Sequence, residues 1–505
     1  MHRETRGATN VADEAIRPRL GYICAEGAVT PNDGDWFEVL NPATGEEIAE
    51  AYEVTAAEVD SVVERAHEVF KAVWRSMQLD ERGRLIGRWA DAISAHRDEI
   101  AALEVSDVGN LRSEVLGDID SCIRALRYYA GMADKIEGTV YAQIPRRLAY
   151  GIDEPFGVVA GINPYNGNAN FVAMKSAPAL IAGNCIVLKA PEVAPLITYR
   201  LAELALEAGI PPGVINVITG RGQIVGPLLS EHPRIGMIAF TGSPGAGRSV
   251  INSSARNIVP VILELGGKSP SILLPDADLT MAIPSVLHSN FVKSGQSCVA
   301  ASRILVHESR YEEVCDEFAR RAKTIRVGLP TLASSQMGTL INRPHRDRVH
   351  ALVERAVSSG ATCLAGGVPA DEDDLARGAF YRPTVLADVA DDNPAATTEA
   401  FGPIASVMSY ADIDDALTRA NATSFGLSSQ VWGNDAASIQ YLSQNLVTGT
   451  VWVNTYRAFH PTVPFGGAKQ SGFGLEHGFA SVAMYTRRKS VVWDLSTQRE
   501  LPYNN

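Results

Sequence analysis

From about Phe156 onward, short apolar runs alternate with amphipathic stretches. Strands that alternate with helices are joined by right-handed crossovers, and such units fold into a parallel sheet with helices on both faces. The five predicted strands of this sheet are Phe156–Asn163, Asn184–Lys189, Val214–Ile218, Ile235–Phe240 and Val259–Glu264. The sequence therefore predicts a doubly wound α/β domain.

A second alternation of the same kind follows. Its predicted strands are Ser271–Leu274, Arg303–His307, Ala405–Tyr410, Ser429–Trp432 and Val451–Asn454. Because 505 residues exceed what one hydrophobic core usually serves, we interpret this part as a second α/β domain. The segment before residue 130 is predicted to be largely helical, with Ala57–Val73 and Arg82–Glu104 as its clearest helices. Two predicted strands, Ile144–Tyr150 and Ser490–Leu495, belong to neither sheet.

Charge and composition exclude several classes of partner. A formal net charge of −13 argues against nucleic acid and against an anionic membrane surface, since both attract Lys and Arg. No run reaches the ~18 apolar residues that a membrane span needs, and Met1–Leu20 lacks the apolar core of a signal peptide. We expect that segment to be a flexible tail. Six cysteines without a C-x-x-C pair disfavour disulfides and a metal site and predict a cytoplasmic protein.

One cysteine stands out by its surroundings. Cys298 follows Gly295, Gln296 and Ser297 in a loop of small residues that leads into a predicted strand. Small residues let the backbone approach a substrate closely, and a backbone N–H beside the thiol suits a developing oxyanion. The alternative interpretation is a small buried hydrophobic residue, which most free cysteines are.

Three further residues suggest a site at the ends of predicted strands. Glu264 is the last residue of an apolar strand. An acid in this position is suited to activate water, and the alternative interpretation is an acid at the protein surface. Asn166 follows the first strand, where its amide is suited to hold a substrate oxygen, although asparagines are also common in turns. Ser243 lies in a glycine-rich turn before a helix, which is suited to phosphate but lacks the G-x-G-x-x-G spacing.

Together these segments resemble the aldehyde dehydrogenase superfamily, in its NAD(P)-dependent, hydrolytic, non-acylating form. The segments Leu263–Pro270 and Phe291–Ser302 are similar to the family's two signature motifs and stand in the family's order. The other segments that match are Lys189–Glu192, Glu399–Pro403, Pro464–Gly467 and Ser471–Glu476. The resemblance covers the chain from about Tyr22 to Trp493.

The resemblance implies a mechanism for three residues. Cys298 is expected to attack the aldehyde carbon, Asn166 and the Cys298 backbone N–H to hold the oxyanion, and Glu264 to activate water that hydrolyses the thioester. Two alternatives stay open: an acylating dehydrogenase that passes the thioester to coenzyme A, and a catalytically retired binding or structural protein on the same fold. The intact Glu264 disfavours the first alternative, and the intact trio disfavours the second.

The resemblance also implies a cofactor site for NAD, with NADP disfavoured. Lys189 and Glu192 resemble the pair that holds the adenosine ribose, and a carboxylate beside the 2′-hydroxyl disfavours a 2′-phosphate. Ser243 matches a pyrophosphate contact, Glu399 a contact to the nicotinamide ribose, and Phe401 an apolar wall against the nicotinamide. Two further residues resemble a structural lysine near Asn166 and a possible proton relay: Lys175 and Glu476.

The substrate pocket departs from the family's usual pattern. The residues expected to line it are Tyr165, Asn170, Met174, Arg457, Phe459 and Phe465. Gly167 and Asn170 replace bulky apolar residues, and Arg457 adds a cation, so the sequence favours a polar or acidic aldehyde over a long aliphatic one. An aromatic aldehyde with polar groups is also compatible, and Arg457 could instead face solvent or pair with a protein acid.

The expected architecture has three parts. A Rossmann-like doubly wound NAD-binding domain comprises residues 1–130 and 151–262, and a catalytic α/β domain comprises 263–476. Residues 131–150 and 477–505 are expected to form a small β oligomerisation arm, because in the resembled family such strands extend a neighbour's sheet. The chain is therefore expected to form a homodimer or homotetramer that acts on a small aldehyde.

Overall fold

A computed structural model of the protein describes residues 18–496. The fold is mixed α/β, with two large sheets that are mostly parallel and that bear helices. We call the eight-stranded sheet the first sheet and the seven-stranded sheet the second sheet. The predicted flexible tail, Met1–Leu20, lies almost entirely outside the described residues, and so do residues 497–505.

The first sheet contains all five strands predicted for it, with ends shifted by a few residues. In spatial order its strands are Gly472–Phe473, Val261–Glu264, Ile235–Thr241, Val158–Ile162, Cys185–Lys189, Ile215–Ile218, Tyr22–Cys24 and Gly27–Val29. The five central strands pair in parallel, while the strands at both edges pair antiparallel. Buried parallel strands read as continuous apolar runs, which explains why the sequence predicted them.

The strand order of the first sheet reverses once. From Val158–Ile162 the chain adds Cys185–Lys189 and Ile215–Ile218 on one side, and then returns to add Ile235–Thr241 and Val261–Glu264 on the other. The prediction of a doubly wound fold is confirmed. In open α/β sheets, ligands bind outside the carboxyl ends of the strands at such a reversal, which places the expected site at the ends of Val158–Ile162 and Ile235–Thr241.

The second sheet contains the five predicted strands and two that the sequence analysis missed. Its strands in spatial order are Thr362–Ala365, Thr384–Ala387, Ile404–Tyr410, Arg303–His307, Pro270–Leu273, Ser428–Trp432 and Thr450–Val453. All neighbours pair in parallel except the first pair. The missed strands are four residues each and lie at the end of the sheet, where Thr362–Ala365 is the edge strand and is largely exposed rather than a buried apolar run.

Helices cover both sheets. Those that precede or belong to the first sheet are Ala56–Val69, Leu79–Ala95, Arg97–Val108, Arg112–Ala130, Asn168–Ala182, Leu196–Glu207, Gly222–Ser230 and Pro244–Ala255. Those that follow are Leu279–Phe291, Tyr311–Ala322, Arg343–Ser358, Pro394–Thr397, Ile413–Asn421, Ala436–Asn445 and Gly478–Met484. Helix Asn168–Ala182, which begins just after Asn166, ends at Gly183 with φ of 100°, a left-handed conformation that glycine adopts without strain.

The segment before residue 130 is largely helical, as predicted, from Ala56 onward, and it departs from the prediction in two details. Residues 19–52 are not helical: they supply two edge strands to the first sheet and a small separate sheet of Arg19–Leu20, Glu47–Tyr52 and Trp36–Leu40. The predicted helix Arg82–Glu104 is two helices that meet at His96. A ring nitrogen of His96 hydrogen-bonds the carbonyl oxygen of Ala92 at 2.9 Å. A side chain thus satisfies a carbonyl group at the end of the first helix, and no Gly or Pro beside His96 marks this end in the sequence.

The two predicted strands outside both sheets pair with each other, as part of a three-stranded sheet that we call the arm sheet. Its strands are Thr486–Asp494, Arg147–Pro155 and Thr139–Tyr141 in spatial order. Within residues 18–496, no helix has the length and apolar character to cross a membrane. The same residues contain no cluster of three His, Cys, Asp or Glu side chains that is suited to a metal ion.

Candidate active site

Four strands of the first sheet bring the predicted residues to one edge. The strand Val158–Ile162 leads to Asn166, Cys185–Lys189 ends on Lys189, Ile235–Thr241 leads to Ser243, and Val261–Glu264 ends on Glu264. Two cavities open there, of about 550 and 920 Å³, which we call the smaller and the larger cavity. Cys298, Glu264 and Asn166 line both, so the structure brings these three together where the cavities meet.

The loop that carries Cys298 has an unusual backbone. Lys293, Ser294 and Gly295 all have positive φ, at 54°, 54° and 74°. Residues other than glycine rarely adopt this conformation, and such strain persists only where the surroundings hold it. Gly295 also lacks space for a side chain, because a Cβ atom would lie 2.2 Å from the carbonyl oxygen of Gly402. The loop is therefore fixed rather than free to adapt.

Lys293 is the residue that holds this loop. Its backbone N–H donates to Glu114 Oε1 at 2.8 Å, and its Nζ donates to the backbone oxygen of Asn166 at 2.8 Å. The same Nζ forms a buried ion pair with Asp118. Lys293 thus joins the loop before Cys298 to the Asn166 loop and to helix Arg112–Ala130, a role that the sequence analysis missed.

The surroundings of Cys298 favour the neutral thiol over the thiolate. Burial raises its pKa to about 12, and the charges of Glu399 and Glu264 also raise it. The charge of Arg457 and the backbone N–H of Cys298 lower the pKa. A thiolate is the nucleophilic form of cysteine, so the reaction of this residue depends on how a bound ligand changes these surroundings.

Glu264 is buried without a partner. Its side chain lies at 4% exposure, and neither carboxyl oxygen has a hydrogen-bond partner among the described residues. Burial raises the pKa of Glu264 well above its usual value, the charge of Glu476 raises it further, and Lys175 lowers it. A buried acid that no protein group satisfies is costly to maintain, which favours a role in chemistry over the structural alternative.

The two residues expected near this site as lysine and relay acid form an ion pair. Lys175 Nζ donates to Glu476 Oε1 at 2.7 Å and to Thr241 Oγ1 at 2.7 Å, with both charged side chains buried. Thr241 pairs in register with Glu264 on the neighbouring strand. The ion pair therefore sits beside the unpartnered Glu264 carboxyl, while the second oxygen of Glu476 has no partner in the described part of the chain.

Asn166 is tied to the cysteine loop through Gln296. Its Nδ2 donates to the backbone oxygen of Gln296 at 2.9 Å. The Gln296 side chain accepts from the Ile341 N–H at 2.8 Å and donates to the carbonyl of Thr339 at 3.2 Å. Gln296 is a buried hub that the sequence analysis named only as a neighbour of Cys298, because its partners are remote in sequence.

The larger cavity collects the residues expected to bind a cofactor: Lys189, Glu192, Ser243, Glu399 and Phe401. Lys189 Nζ lies 4.0 Å from Glu192 Oε2, which also accepts the Gly222 N–H at 2.5 Å. Burial lowers the pKa of Lys189 to about 8. Ser243 caps helix Pro244–Ala255, its hydroxyl accepting from Ala246 N at 3.3 Å.

Glu399 lies where the larger cavity approaches Cys298. Its Oε1 accepts the Gly267 N–H at 2.9 Å, and burial raises the pKa of Glu399 to about 7. Gly266 has to be glycine for this carboxyl to fit, because a Cβ atom there would lie 2.0 Å from Glu399 Oε2. The close approach explains the glycine pair that follows Glu264 in the sequence.

One predicted pocket residue lies elsewhere. Tyr165 was expected in the substrate pocket, but it lines the larger cavity and not the smaller one. Its hydroxyl donates to Gln296 Oε1 at 3.2 Å, and its ring meets Phe401 edge to face with centroids 6.0 Å apart. Neighbouring residues of this loop face different cavities, and the hydrogen bond to Gln296 turns Tyr165 towards the cofactor side.

The smaller cavity is lined by the other predicted pocket residues: Asn170, Met174, Arg457, Phe459 and Phe465. Phe459 and Phe465 pack edge to face at 5.2 Å, and Phe459 stacks on His477 at 6.3 Å. Arg457 lies 3.8 Å from Asp118. The sequence analysis did not single out His477 or the residues of helix Arg112–Ala130 that reach this cavity.

A doubly wound sheet, a second α/β sheet and a half-buried cysteine where two cavities meet indicate an α/β enzyme. Comparison with known proteins specifies the class further. The model of the aldehyde dehydrogenase family matches residues 29–491. The chain belongs to the aldehyde dehydrogenase family, and the prediction of an enzyme that oxidises aldehydes is confirmed.

Individual relatives cover nearly the whole chain. DhaS of Bacillus subtilis is 40% identical over 469 residues, which are 92% of this chain and 94% of the relative. The (Z)-2-((N-methylformamido)methylene)-5-hydroxybutyrolactone dehydrogenase of Acinetobacter baylyi is 38% identical over 465 residues, with the same coverage.

Solved structures are similar over the same length. The NAD+ complex of an aldehyde dehydrogenase from Bacillus cereus is 37% identical, with a TM-score of 0.92 over 95% of this chain and 97% of that one. The betaine aldehyde dehydrogenase of Staphylococcus aureus in complex with NAD+ is 32% identical, with a TM-score of 0.94 over 96% and 97%.

Proposed function

We propose that the protein oxidises a small aldehyde to the carboxylic acid with NAD+, through a thioester on Cys298 that water hydrolyses. The observation that carries this proposal is the position of Cys298 at the junction of the two cavities, beside the unpartnered carboxyl of Glu264. One cavity would admit the aldehyde and the other the cofactor, so that the thiol meets both.

The residues of the larger cavity fit NAD. The start of helix Pro244–Ala255, with Ser243 as its cap, offers backbone N–H groups to a pyrophosphate. Lys189 and Glu192 would hold the adenosine ribose, and the half-exposed carboxylate of Glu192 disfavours the extra phosphate of NADP. Glu399 would bind the other ribose, and Phe401 would contact the nicotinamide, which supplies the hydride acceptor. Two structural relatives are complexes with NAD+.

Cys298 and Asn166 would carry the first half of the reaction. The thiol would release its proton to solvent and its sulfur would bond to the aldehyde carbon, so that the carbonyl oxygen becomes an oxyanion. One N–H of the Asn166 amide is held by Gln296, and the second remains for that oxyanion, together with the Cys298 N–H. NAD held by Glu399 and Phe401 would supply the hydride acceptor, so that the carbon bonded to Cys298 is oxidised to a thioester.

Glu264 would carry the second half. Its carboxylate would take a proton from water while the water oxygen bonds to the thioester carbon, and the C–S bond would break to release the carboxylic acid and the Cys298 thiolate, with the proton left on Glu264. The position of Glu264 beside the Lys175–Glu476 ion pair gives its proton an exit towards Glu476 Oε2, which has no partner among the described residues.

The test is NADH formation from a panel of aliphatic, aromatic and acidic aldehydes, with and without prior treatment by iodoacetamide. We expect NADH to form and the alkylating reagent to prevent it. A requirement for coenzyme A would instead indicate an acylating dehydrogenase. A panel that gives no NADH, together with normal NAD binding, would indicate a protein that has lost catalysis.

We propose further that the protein is a cytoplasmic homo-oligomer with the three parts given above. All six cysteines are free in the structure, in keeping with a reducing compartment. Sheet membership supports a division near residue 263, since the strands from Pro270–Leu273 to Thr450–Val453 form the second sheet. The arm sheet exposes apolar side chains that an oligomer would cover, among them Trp493 at 62% and Val140 at 69% exposure.

A further inference from the structure

The mouth of the smaller cavity is polar along one helix. Four residues of helix Arg112–Ala130 that line this cavity are Ser113, Gly117, Ser121 and Arg124. Residues spaced by three or four positions lie on one face of a helix, so they form a continuous stripe beside the opening. None of them has a large apolar side chain, and the stripe ends at the exposed Arg124. A long hydrocarbon chain would bury little apolar area here.

Arg457 lines the same cavity and lies close to this helix. Its side chain is 25% exposed, and its backbone is held at φ of 52°, a conformation that costs free energy for a residue other than glycine. No hydrogen bond to its guanidinium is found among residues 18–496, and its nearest acid is Asp118 at 3.8 Å. A guanidinium has five N–H donors, and those of Arg457 remain available to a ligand.

The negative charge of Asp118 is shared between two cations, because Asp118 pairs with Lys293 at closer range than with Arg457. Glu114, the other acid at this mouth, uses its oxygens to accept the backbone N–H groups of Leu111 at 3.0 Å and Lys293 at 2.8 Å. Arg124 has no hydrogen bond or ion pair within the described part of the chain. Among the described residues that line this cavity, Arg457 and Arg124 are thus the two cations whose guanidinium donors no protein hydrogen bond engages.

We propose that the mouth of the smaller cavity binds a carboxylate on the substrate, so that the substrate is an aldehyde with an acidic group at its far end. This inference rests on the proposed oxidation of an aldehyde at Cys298. Arg457 would hold the carboxylate with two parallel hydrogen bonds, and Arg124 at the rim would draw the anion in.

The interior of the smaller cavity fits the part of such a molecule between its two ends. Phe171, Phe459 and Phe465 line the cavity together with Arg457 and Cys298. Their rings offer apolar contact to a short carbon chain or an aromatic ring, while the charged group reaches Arg457. A neutral aldehyde would leave the guanidinium partly desolvated without a partner, which is unfavourable.

The first experiment compares matched aldehydes. We would measure kcat/KM for 5-oxopentanoate against pentanal, and for 4-carboxybenzaldehyde against 4-methylbenzaldehyde. In the wild type the acid is preferred in at least one pair. In Arg457→Gln the ratio of kcat/KM for the acid to kcat/KM for the neutral aldehyde falls by about tenfold or more, which is the effect of losing a hydrogen bond to a charged group. Arg457→Lys restores part of this ratio. Arg256→Gln, an exposed arginine paired with Glu231, leaves the ratio unchanged. Equal losses on acid and neutral aldehydes in Arg457→Gln would overturn the proposal.

A second experiment separates this inference from the proposed chemistry. Calorimetric titration of the Cys298→Ala protein with pentanoate and with 1-pentanol measures binding of the carboxylate without turnover. We expect pentanoate to bind more tightly, and the difference to disappear when Arg457→Gln is added. Equal affinities would refute the carboxylate site even if aldehydes are oxidised. Tighter binding of pentanoate in a protein that oxidises no aldehyde would keep the site and refute the proposed function.

Discussion

The side-chain amide of Asn166 donates to the backbone oxygen of Gln296 at 2.9 Å, two positions before Cys298. This bond orients the amide relative to the loop of the nucleophile, and it leaves one amide hydrogen for a substrate oxygen. A donor fixed before the substrate arrives needs no reorganisation when negative charge develops. The geometry of the oxyanion site is therefore built into the resting protein.

Asn166→Ala is expected to lower kcat by about 10²–10³-fold, the usual effect of losing one oxyanion donor. Asn168→Ala is the matched control. Asn168 is fully buried, donates to the Ala194 carbonyl at 2.7 Å and accepts from Thr198 at 2.6 Å, so its loss should lower Tm more than kcat. Steady-state kinetics and thermal denaturation of both variants check this. A kcat for Asn166→Ala within a few-fold of the wild type would remove Asn166 from the mechanism.

Much of this arrangement could be predicted from the sequence, for physical reasons. Buried parallel strands are continuous apolar runs, so the central strands of both sheets were visible with errors of a few residues at their ends. Ligand sites of such sheets lie at carboxyl ends, which made Glu264 and Asn166 candidates. Single residues had equally good structural explanations, and only their combination favoured catalysis.

Other features depend on contacts that no local pattern records. Lys293 meets Asp118 and Asn166 across long sequence separations, and Gln296 meets Ile341. The strands Arg19–Leu20, Trp36–Leu40 and Glu47–Tyr52 pair with one another, and only Tyr22–Cys24 depends on a distant partner, the strand Ile215–Ile218. The turn of Tyr165 towards the larger cavity likewise depends on a hydrogen bond to Gln296.

Cys298→Ala should abolish dehydrogenase activity and any esterase activity while NAD binding stays near the wild-type value. The reason is that the sulfur forms the bond to the aldehyde carbon and has no substitute in the cavity. Cys363→Ala, which changes an exposed cysteine, serves as the control and should keep full activity. Turnover above background in purified Cys298→Ala would refute the assignment.

Glu264→Gln should give a burst of NADH and then stall, because only hydrolysis of the thioester needs the base. An acyl adduct on Cys298 should then appear in the intact mass. Burial raises the pKa of Glu264, so its carboxylate form increases as pH rises. The hydrolysis rate of the wild type should therefore rise with pH through that pKa, and the variant should lack this rise. Loss of the burst itself would show that Glu264 acts before the thioester forms, for example on the thiol.

NAD should be preferred to NADP as the cofactor. Glu192→Ser should lower the ratio of kcat/KM with NAD to kcat/KM with NADP by about tenfold or more, because the substitution removes a negative charge from the expected position of the 2′-phosphate. Glu207→Ser is a suitable control, because Glu207 pairs with Arg200 rather than facing the larger cavity. Equal kcat/KM for the two cofactors in the wild type would mean that the Lys189–Glu192 pair has another role.

The protein should be a homodimer or a dimer of dimers, with the arm sheet in the contact. Trp493 and Leu148 are paired across neighbouring strands of that sheet, and both are exposed, at 62% and 37%. Trp493→Glu should shift light scattering at micromolar concentration towards smaller species, because a buried unpaired charge is costly at an interface. Leu332→Glu, at another exposed apolar residue, should not. A stable wild-type monomer at that concentration would contradict the prediction.

The ion pair of Lys175 with Glu476 joins residues 301 positions apart, and the strand Gly472–Phe473 closes the edge of the first sheet beside Glu264. During synthesis, Lys175, Glu264 and Cys298 all leave the ribosome long before this closing segment does. Until the segment arrives, Lys175 lacks its counter-charge and the sheet has an open edge, which is prone to pair with other chains. Recovery of activity during refolding would therefore require this segment to pair with the first sheet, and a chain truncated before residue 470 would keep Cys298, Glu264 and Asn166 but lose Glu476 and the closing strand.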